Sequence, residues 1–297
     1  LDLLLVGQSQ LGWMVWESIR ALDYLLSRSE VNPERVGMTG ASGGGLNTFF
    51  TTAIEDRFAC AIPVAYPCTF SAAMRAERDL NWEDGIDVCN QVPQVMSYAE
   101  MSDIASLFIP KPYMILSGTR DKIFPIAGVH QIASAIRHNY ELAGVPERFR
   151  FVEFEEEHGY QLSLRQAAYG WLKQWLLGDG DGSPIHEPVL DLLPDPYQVE
   201  YSTPPTPTPH HVRGQSPTST PIPGALPGFC FPPHLTVHGE ADIGARIRAV
   251  AEGMPGYSPL PDRSADLPDW QEQIKRRIRE TLGPFPQKSP LRTRLFN

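Results

Sequence analysis

The pentapeptide Gly40-Ala41-Ser42-Gly43-Gly44 sets a serine hydroxyl among glycines, with the apolar run Val36-Gly37-Met38-Thr39 before it and a helix-compatible segment, Leu46 to Thr52, after it. A strand that turns sharply into a helix through G-x-S-x-G exposes the serine oxygen at the turn. Neighbours without a Cβ let strand and helix approach while the serine backbone is strained. Such a serine is built to attack a carbonyl carbon. The attack needs a base to take the hydroxyl proton, and the base needs a carboxylate to hold its tautomer. Both types follow in order. Asp121 sits in Gly118-Thr119-Arg120-Asp121-Lys122-Ile123-Phe124-Pro125, and His158 in Glu155-Glu156-Glu157-His158-Gly159-Tyr160, each just past an apolar run. Ser42 is expected as nucleophile, Asp121 as orienting acid and His158 as general base.

Blander readings compete with this one. The glycines could form a phosphate loop, but Gly40 to Gly45 lacks the Lys-Ser/Thr of a P-loop and does not match G-x-G-x-x-G. An aspartate after a strand is often a turn former, yet no other acid is equally well placed. His130 and His138 fall on an expected helix and read as solvated, and Glu155 to Glu157 as a solvated run. Tyr66 and Trp82 are candidates either to line a substrate pocket or to fill the core of their own segment.

Elements that alternate between helix and strand must position these residues. Val15, Ile19, Leu22 and Leu26 recur at three- and four-residue steps, which predicts a helix over Trp13 to Leu26. Strands are expected at 36–39, 60–64, 113–117 and 149–154. Helices are expected at 126–142, with Gly144 as a stop, and at 162–177. Residues 66–106 show no clean period and read as an insertion over the site. Strands separated by helices imply a parallel sheet with right-handed crossovers, and sites in open sheets form at the carboxyl ends of the strands.

The elbow and the two loop segments together resemble the acetyl xylan esterase-like branch of the α/β-hydrolases. The segments Arg20-Ala21-Leu22-Asp23-Tyr24-Leu25, Glu30-Val31-Asn32-Pro33-Glu34-Arg35-Val36-Gly37, Asp103-Ile104-Ala105-Ser106-Leu107 and Pro110-Lys111-Pro112 are similar to that branch as well. The likeness covers residues 7–177. It implies an α/β fold of α/β-hydrolase type and hydrolysis of carboxylic esters, as in deacetylation of carbohydrate. It also implies an oxyanion hole to which the backbone N–H of Gly43 contributes one half. Members of the branch carry several strands and an His-Gly-type loop, the source of the second donor, before the elbow. Only 35 residues precede Val36 here, so the sheet is expected to be incomplete on its N-terminal side, with the elbow strand near an edge. A prolyl oligopeptidase-like peptidase uses the same triad order and remains a rival reading, as does a truncated chain without catalysis.

Composition bounds the partners. The net charge of −10 disfavours nucleic acid, and 42% hydrophobic residues suit a globular core. No apolar run approaches the length that spans a bilayer, so no membrane partner is expected. A small-molecule or carbohydrate ester is the expected ligand. The proposed chemistry needs no metal or organic cofactor. Cys60, Cys68, Cys89 and Cys230 show no zinc-site spacing, while one disulfide, such as Cys68 with Cys89, is compatible with the count.

Three regions are expected: the C-terminal part of a catalytic module at 1–178, a proline-rich linker at 179–233, and the start of a second module at 234–297. Residues 184–233 hold 14 of the 29 prolines, a composition that excludes helix and central sheet. Ile274, Ile278 and Leu282 share one face of a helix over Trp270 to Leu282 that stops at Gly283-Pro284. That helix resembles the way members of the branch begin, so the chain reads as a piece of a longer, tandem protein.

Overall fold

A computed structural model describes residues 9–79, 88–90, 92–188 and 261–288. The expectations placed on Trp82, on Cys230, on the linker beyond residue 188 and on the segment 234–260 lie outside the described residues. Two units divide the chain, one formed by residues 1–187 with 242–297 and one by residues 188–241.

The sheet of the first unit has four parallel strands in sequence order: β1 (Gly37–Ala41), β2 (Cys60–Val64), β3 (Tyr113–Gly118) and β4 (Phe149–Phe154). Every residue of β2 and β3 is buried, whereas β1 and β4 are partly exposed. The central strands are therefore continuous apolar runs, as a parallel sheet covered on both faces requires. Their side chains still alternate between two cores. Ala61, Tyr113 and Ile115 face the larger one, while Cys60, Ile62, Val64, Met114 and Leu116 face the smaller. Cys60, Cys68 and Cys89 are buried thiols.

The larger core is roofed by α1 (Gln10–Leu26), α2 (Gly43–Ile54) and α5 (Ile126–Leu142), with α3 (Phe70–Asp79) and α4 (Met101–Ser106) between them in the chain. Ser9 caps α1, its Oγ accepting from the Gly12 N–H at 2.9 Å. α2 is buried on nearly every side, and its threonines resolve their hydroxyls inward. Thr48 donates to the Gly44 carbonyl and Thr52 to the Thr48 carbonyl. The smaller core lies under α6 (Leu162–Leu172), which continues into a π-turn at Lys173–Leu177.

In the segment 66–106, read from sequence as an insertion without a clean period, α3, α4 and 3₁₀ turns at Val88–Asn90 and Val95–Ser97 occupy most of what is described. The start of α3 is fixed by a partner 30 residues away, the Glu100 carboxylate, which accepts from the Phe70 N–H at 2.9 Å. Local periodicity carries no trace of such a cap.

The last helix, α7 (Leu267–Leu282), packs on the larger core through Leu267, Trp270, Ile274, Ile278 and Leu282. These positions follow the three- and four-residue steps of one helix face. Its polar groups bond to the ends of other helices. Gln271 donates to the carbonyls of Ser106 and Ile109, Arg279 to that of Ile54, and Lys275 pairs with Asp56 at 2.7 Å. Cations and amides at helix C-termini satisfy carbonyls that have no intrahelical donor. A Cβ on Gly12 would lie 2.1 Å from the Leu282 carbonyl oxygen, so only glycine lets α1 meet the end of α7 this closely. The stretch read from sequence as the opening of a second module is thus, in its described part, seated on the first unit.

Candidate active site

Ser42 lies between the end of β1 and the first residue of α2, with φ 56° and ψ −119°. That conformation is strained for a residue with a Cβ. Two contacts hold it. The Ser42 N–H donates to the Val64 carbonyl at 3.0 Å, and the Ser42 carbonyl accepts from Leu46 N–H at 2.8 Å. Of the surrounding glycines, two are sterically required. A Cβ on Gly40 would sit 2.6 Å from the Gly44 carbonyl oxygen. One on Gly45 would sit 2.5 Å from the Val64 oxygen and 2.8 Å from the Tyr66 Cβ. Gly43 and Gly44 face open space. The close approach that G-x-S-x-G encodes thus rests here on Gly40 and on Gly45, one residue beyond the motif.

Asp121 follows β3 and has a side chain with no exposed surface. Its carboxylate is nonetheless satisfied. Oδ1 accepts from the N–H groups of Ile123 (2.8 Å) and Phe124 (3.0 Å), and Oδ2 lies 2.8 Å from His158 Nδ1. An ionised carboxylate only accepts, so the imidazole proton sits on Nδ1 and leaves Nε2 as acceptor. His158 Nε2 lies 2.8 Å from Ser42 Oγ. The three residues singled out from the sequence are therefore brought together in one hydrogen-bonded chain that runs from a buried carboxylate to a hydroxyl.

Backbone lacing keeps the two loops in register. Thr119 N–H donates to the Phe154 carbonyl and Arg120 N–H to that of Glu156. Gly118 permits this, since a Cβ there would lie 2.3 Å from the Glu156 oxygen. Glu156 also accepts from the Ser163 hydroxyl at 2.9 Å, so it is a structural member of the loop rather than part of a solvated run; Glu155 remains exposed. His130 pairs with Glu153 at 2.6 Å on the surface, away from the triad, and His138 is exposed. Gly43 opens α2, and a first-turn N–H has no intrahelical acceptor, so it is available to an oxyanion. Among the described residues, no group of three or more His, Cys, Asp or Glu could hold a metal ion. No described helix is long and apolar enough to cross a membrane.

Sequence reading missed Tyr160 and Thr39. Thr39 Oγ1 donates to the Ile62 carbonyl at 2.9 Å, which uses its one proton. Tyr160, two residues past His158, must then be the donor in the 3.0 Å contact between its hydroxyl and Thr39 Oγ1. Burial raises the Tyr160 phenol, which keeps that proton in place. The pair ties the base loop to the elbow strand across 121 residues of sequence. No local pattern signals it.

Comparison with known proteins gives the family of the chain. A model of the prolyl oligopeptidase family matches residues 12–179, more than half of the chain. "Putative hydrolase YtaP" of Bacillus subtilis (strain 168) is 30% identical over 175 residues, which cover 59% of this chain and 57% of that protein. Among solved structures, a family 15 glucuronoyl esterase from Caldicellulosiruptor kristjansonii is similar at a TM-score of 0.47 and 17% identity, covering 61% of this chain and 54% of that one. The catalytic domain of the Hypocrea jecorina glucuronoyl esterase is similar at 0.45 and 15% identity, with coverage of 59% and 54%. The chain thus spans little more than half the length of these relatives.

Proposed function

Because the chain belongs to the prolyl oligopeptidase family of α/β-hydrolases, we propose that it is a serine hydrolase acting on carboxylic esters through an acyl-enzyme. The observation that carries this reading is the continuous relay Asp121–His158–Ser42, with both His158 contacts at 2.8 Å. In the first step Ser42 Oγ bonds to the acyl carbon while His158 Nε2 takes its proton, and Asp121 stabilises the imidazolium. The Gly43 N–H donates to the oxygen that becomes negative. His158 then gives the proton to the departing alkoxide, which leaves as the alcohol. Water attacks the acyl-Ser42 ester by the same route in reverse, releasing the carboxylic acid and restoring the serine hydroxyl.

Acetyl esters, carbohydrate acetates among them, are the finer form of this reading. The likeness of the elbow, acid-loop and base-loop motifs to acetyl xylan esterase-like enzymes supports it. Peptide hydrolysis is the second reading, favoured by the family's description. The experiment is burst kinetics with an activated acetyl ester, in parallel with an acyl-proline anilide, and labelling by a fluorophosphonate. The expected outcome is a covalent adduct at Ser42, ester turnover well above anilide turnover, and loss of both signals in Ser42→Ala. Turnover unchanged by that substitution would end the proposal. A folded chain that takes no label would favour the non-catalytic reading.

A further inference from the structure

Beside the relay lies a cavity of about 230 Å³ lined by Tyr66, Phe70, Met74, Val95, Met96 and Phe124, among others. Its wall is continuous with the catalytic residues. Phe124 packs its ring 5.8 Å from the His158 ring and donates its N–H to Asp121. Tyr66 stacks edge-on against Phe124 at 5.1 Å, and its Cβ lies against Gly45, three residues past Ser42. Among the described residues, no charged side chain lines the cavity; its polar side chains are the amides Asn90 and Gln94 and the Tyr66 hydroxyl. The opposite wall comes from α3 and from the turn at Val95–Ser97, inside the segment whose sequence shows no clean period.

We propose that this cavity is a binding site for an apolar group of about phenyl size carried by the acyl or the alcohol part of the ester, and that it sets the specificity at Ser42. The assignment rests on the reading of Ser42 as nucleophile. Size supports it: an apolar cavity of about 150 Å³ holds benzene, so this one holds a ring or a short alkyl chain with room to spare. Chemistry supports it as well. Most of the described lining side chains are apolar, so an apolar group is favoured there by its removal from water. An acetyl group alone would leave most of the space unfilled. Methionines with three rotatable bonds let the walls adapt to apolar groups of different outline.

Three measurements on the full chain test the proposal. With 4-nitrophenyl esters, the hexanoate is expected to exceed the acetate in kcat/KM by about tenfold or more, if the acyl part enters the cavity. With acetate esters, benzyl acetate is expected to exceed methyl acetate by the same factor, if the alcohol part enters. Flat ratios in both series, in a chain whose Ser42 is labelled by a fluorophosphonate, would overturn the assignment and leave the hydrolase reading intact. Binding is read independently of turnover by calorimetry of phenyl butyrate on the Ser42→Ala chain. Met96→Trp or, should that variant not fold, Ala73→Phe fills the cavity and is expected to weaken binding at least tenfold. Absence of binding, or binding unaffected by filling, overturns the proposal. Binding blocked by filling, in a chain whose Ser42 takes no label, upholds the site and removes the catalytic reading instead.

Discussion

At the scale of single residues, the φ of 56° at Ser42 goes with a close approach of β1 and α2 that only Gly40 and Gly45, lacking a Cβ, permit. Both glycines touch backbone or a buried aromatic, which cannot move aside as the end of a flexible side chain would. Gly40→Ala and Gly45→Ala are each expected to cost about 1–3 kcal/mol of stability and to abolish labelling of Ser42. Gly44, although it is the second glycine of the motif, faces open space in the first turn of α2. Gly44→Ala is expected to raise stability by about 0.5–1 kcal/mol, as alanine generally does in a helix, and to leave labelling intact. Denaturant unfolding and fluorophosphonate labelling of the three variants separate these cases. Equal damage from all three would mean that the motif acts as a block.

At the scale of elements, the site depends on how loops after different strands are bound to one another. The hydroxyl of Tyr160 anchors the His158 loop to β1 through Thr39. Tyr160→Phe removes that anchor without stranding Thr39, whose proton still goes to the Ile62 carbonyl. The expected result is a fall in kcat of about tenfold or more with KM little changed, since a base displaced by a fraction of an ångström loses its alignment. A variant that loses only thermal stability would make Tyr160 a packing residue. A second joint lies between α7 and the loop after α2. Burial works to raise the Asp56 carboxyl, but the Lys275 ammonium bonded to it overrides this and holds it below the ordinary carboxylate value. A carboxyl depressed on folding contributes stability that is present above its unfolded pKa, near 3.9, and is lost as pH falls through the folded value. Because Asp56 is largely exposed, Asp56→Asn should cost only about 1 kcal/mol at pH 7. The difference from the unaltered chain should close below about pH 4. Unfolding curves at several pH values check this, and a gap that widens in acid would contradict it.

At the scale of the molecule, α7 is a late segment that serves the early core. Ile274 and Ile278 have no exposed surface, and Trp270 is nearly as deep. Ile274→Ala should therefore destabilise the unit by about 2–5 kcal/mol, the range for a truncated buried aliphatic. The loss should show in the unfolding transition of the whole unit, read by far-ultraviolet circular dichroism. A core transition that does not move would mean that α7 is an appendage.

Elements with long periods or unbroken apolar runs are legible in the order of the amino acids. The bounds of β2 and α5 are readable, because a buried parallel strand is apolar throughout and an amphipathic helix repeats its apolar face, and Ser42, Asp121 and His158 stand out as candidates because each directly follows an expected strand. The rest depends on contacts that form only when the chain is folded. α3 is begun by Glu100 and pressed against α5 at Gly128, where a Cβ would lie 2.7 Å from that of Ala72. The Tyr160–Thr39 tie, the cavity beside Phe124 and the seating of α7 are likewise contacts between residues far apart in the chain. Periodicity records what a residue needs from its own helix or strand. It holds no record of which distant surface will meet that need, and the specificity proposed for this site is built on such surfaces.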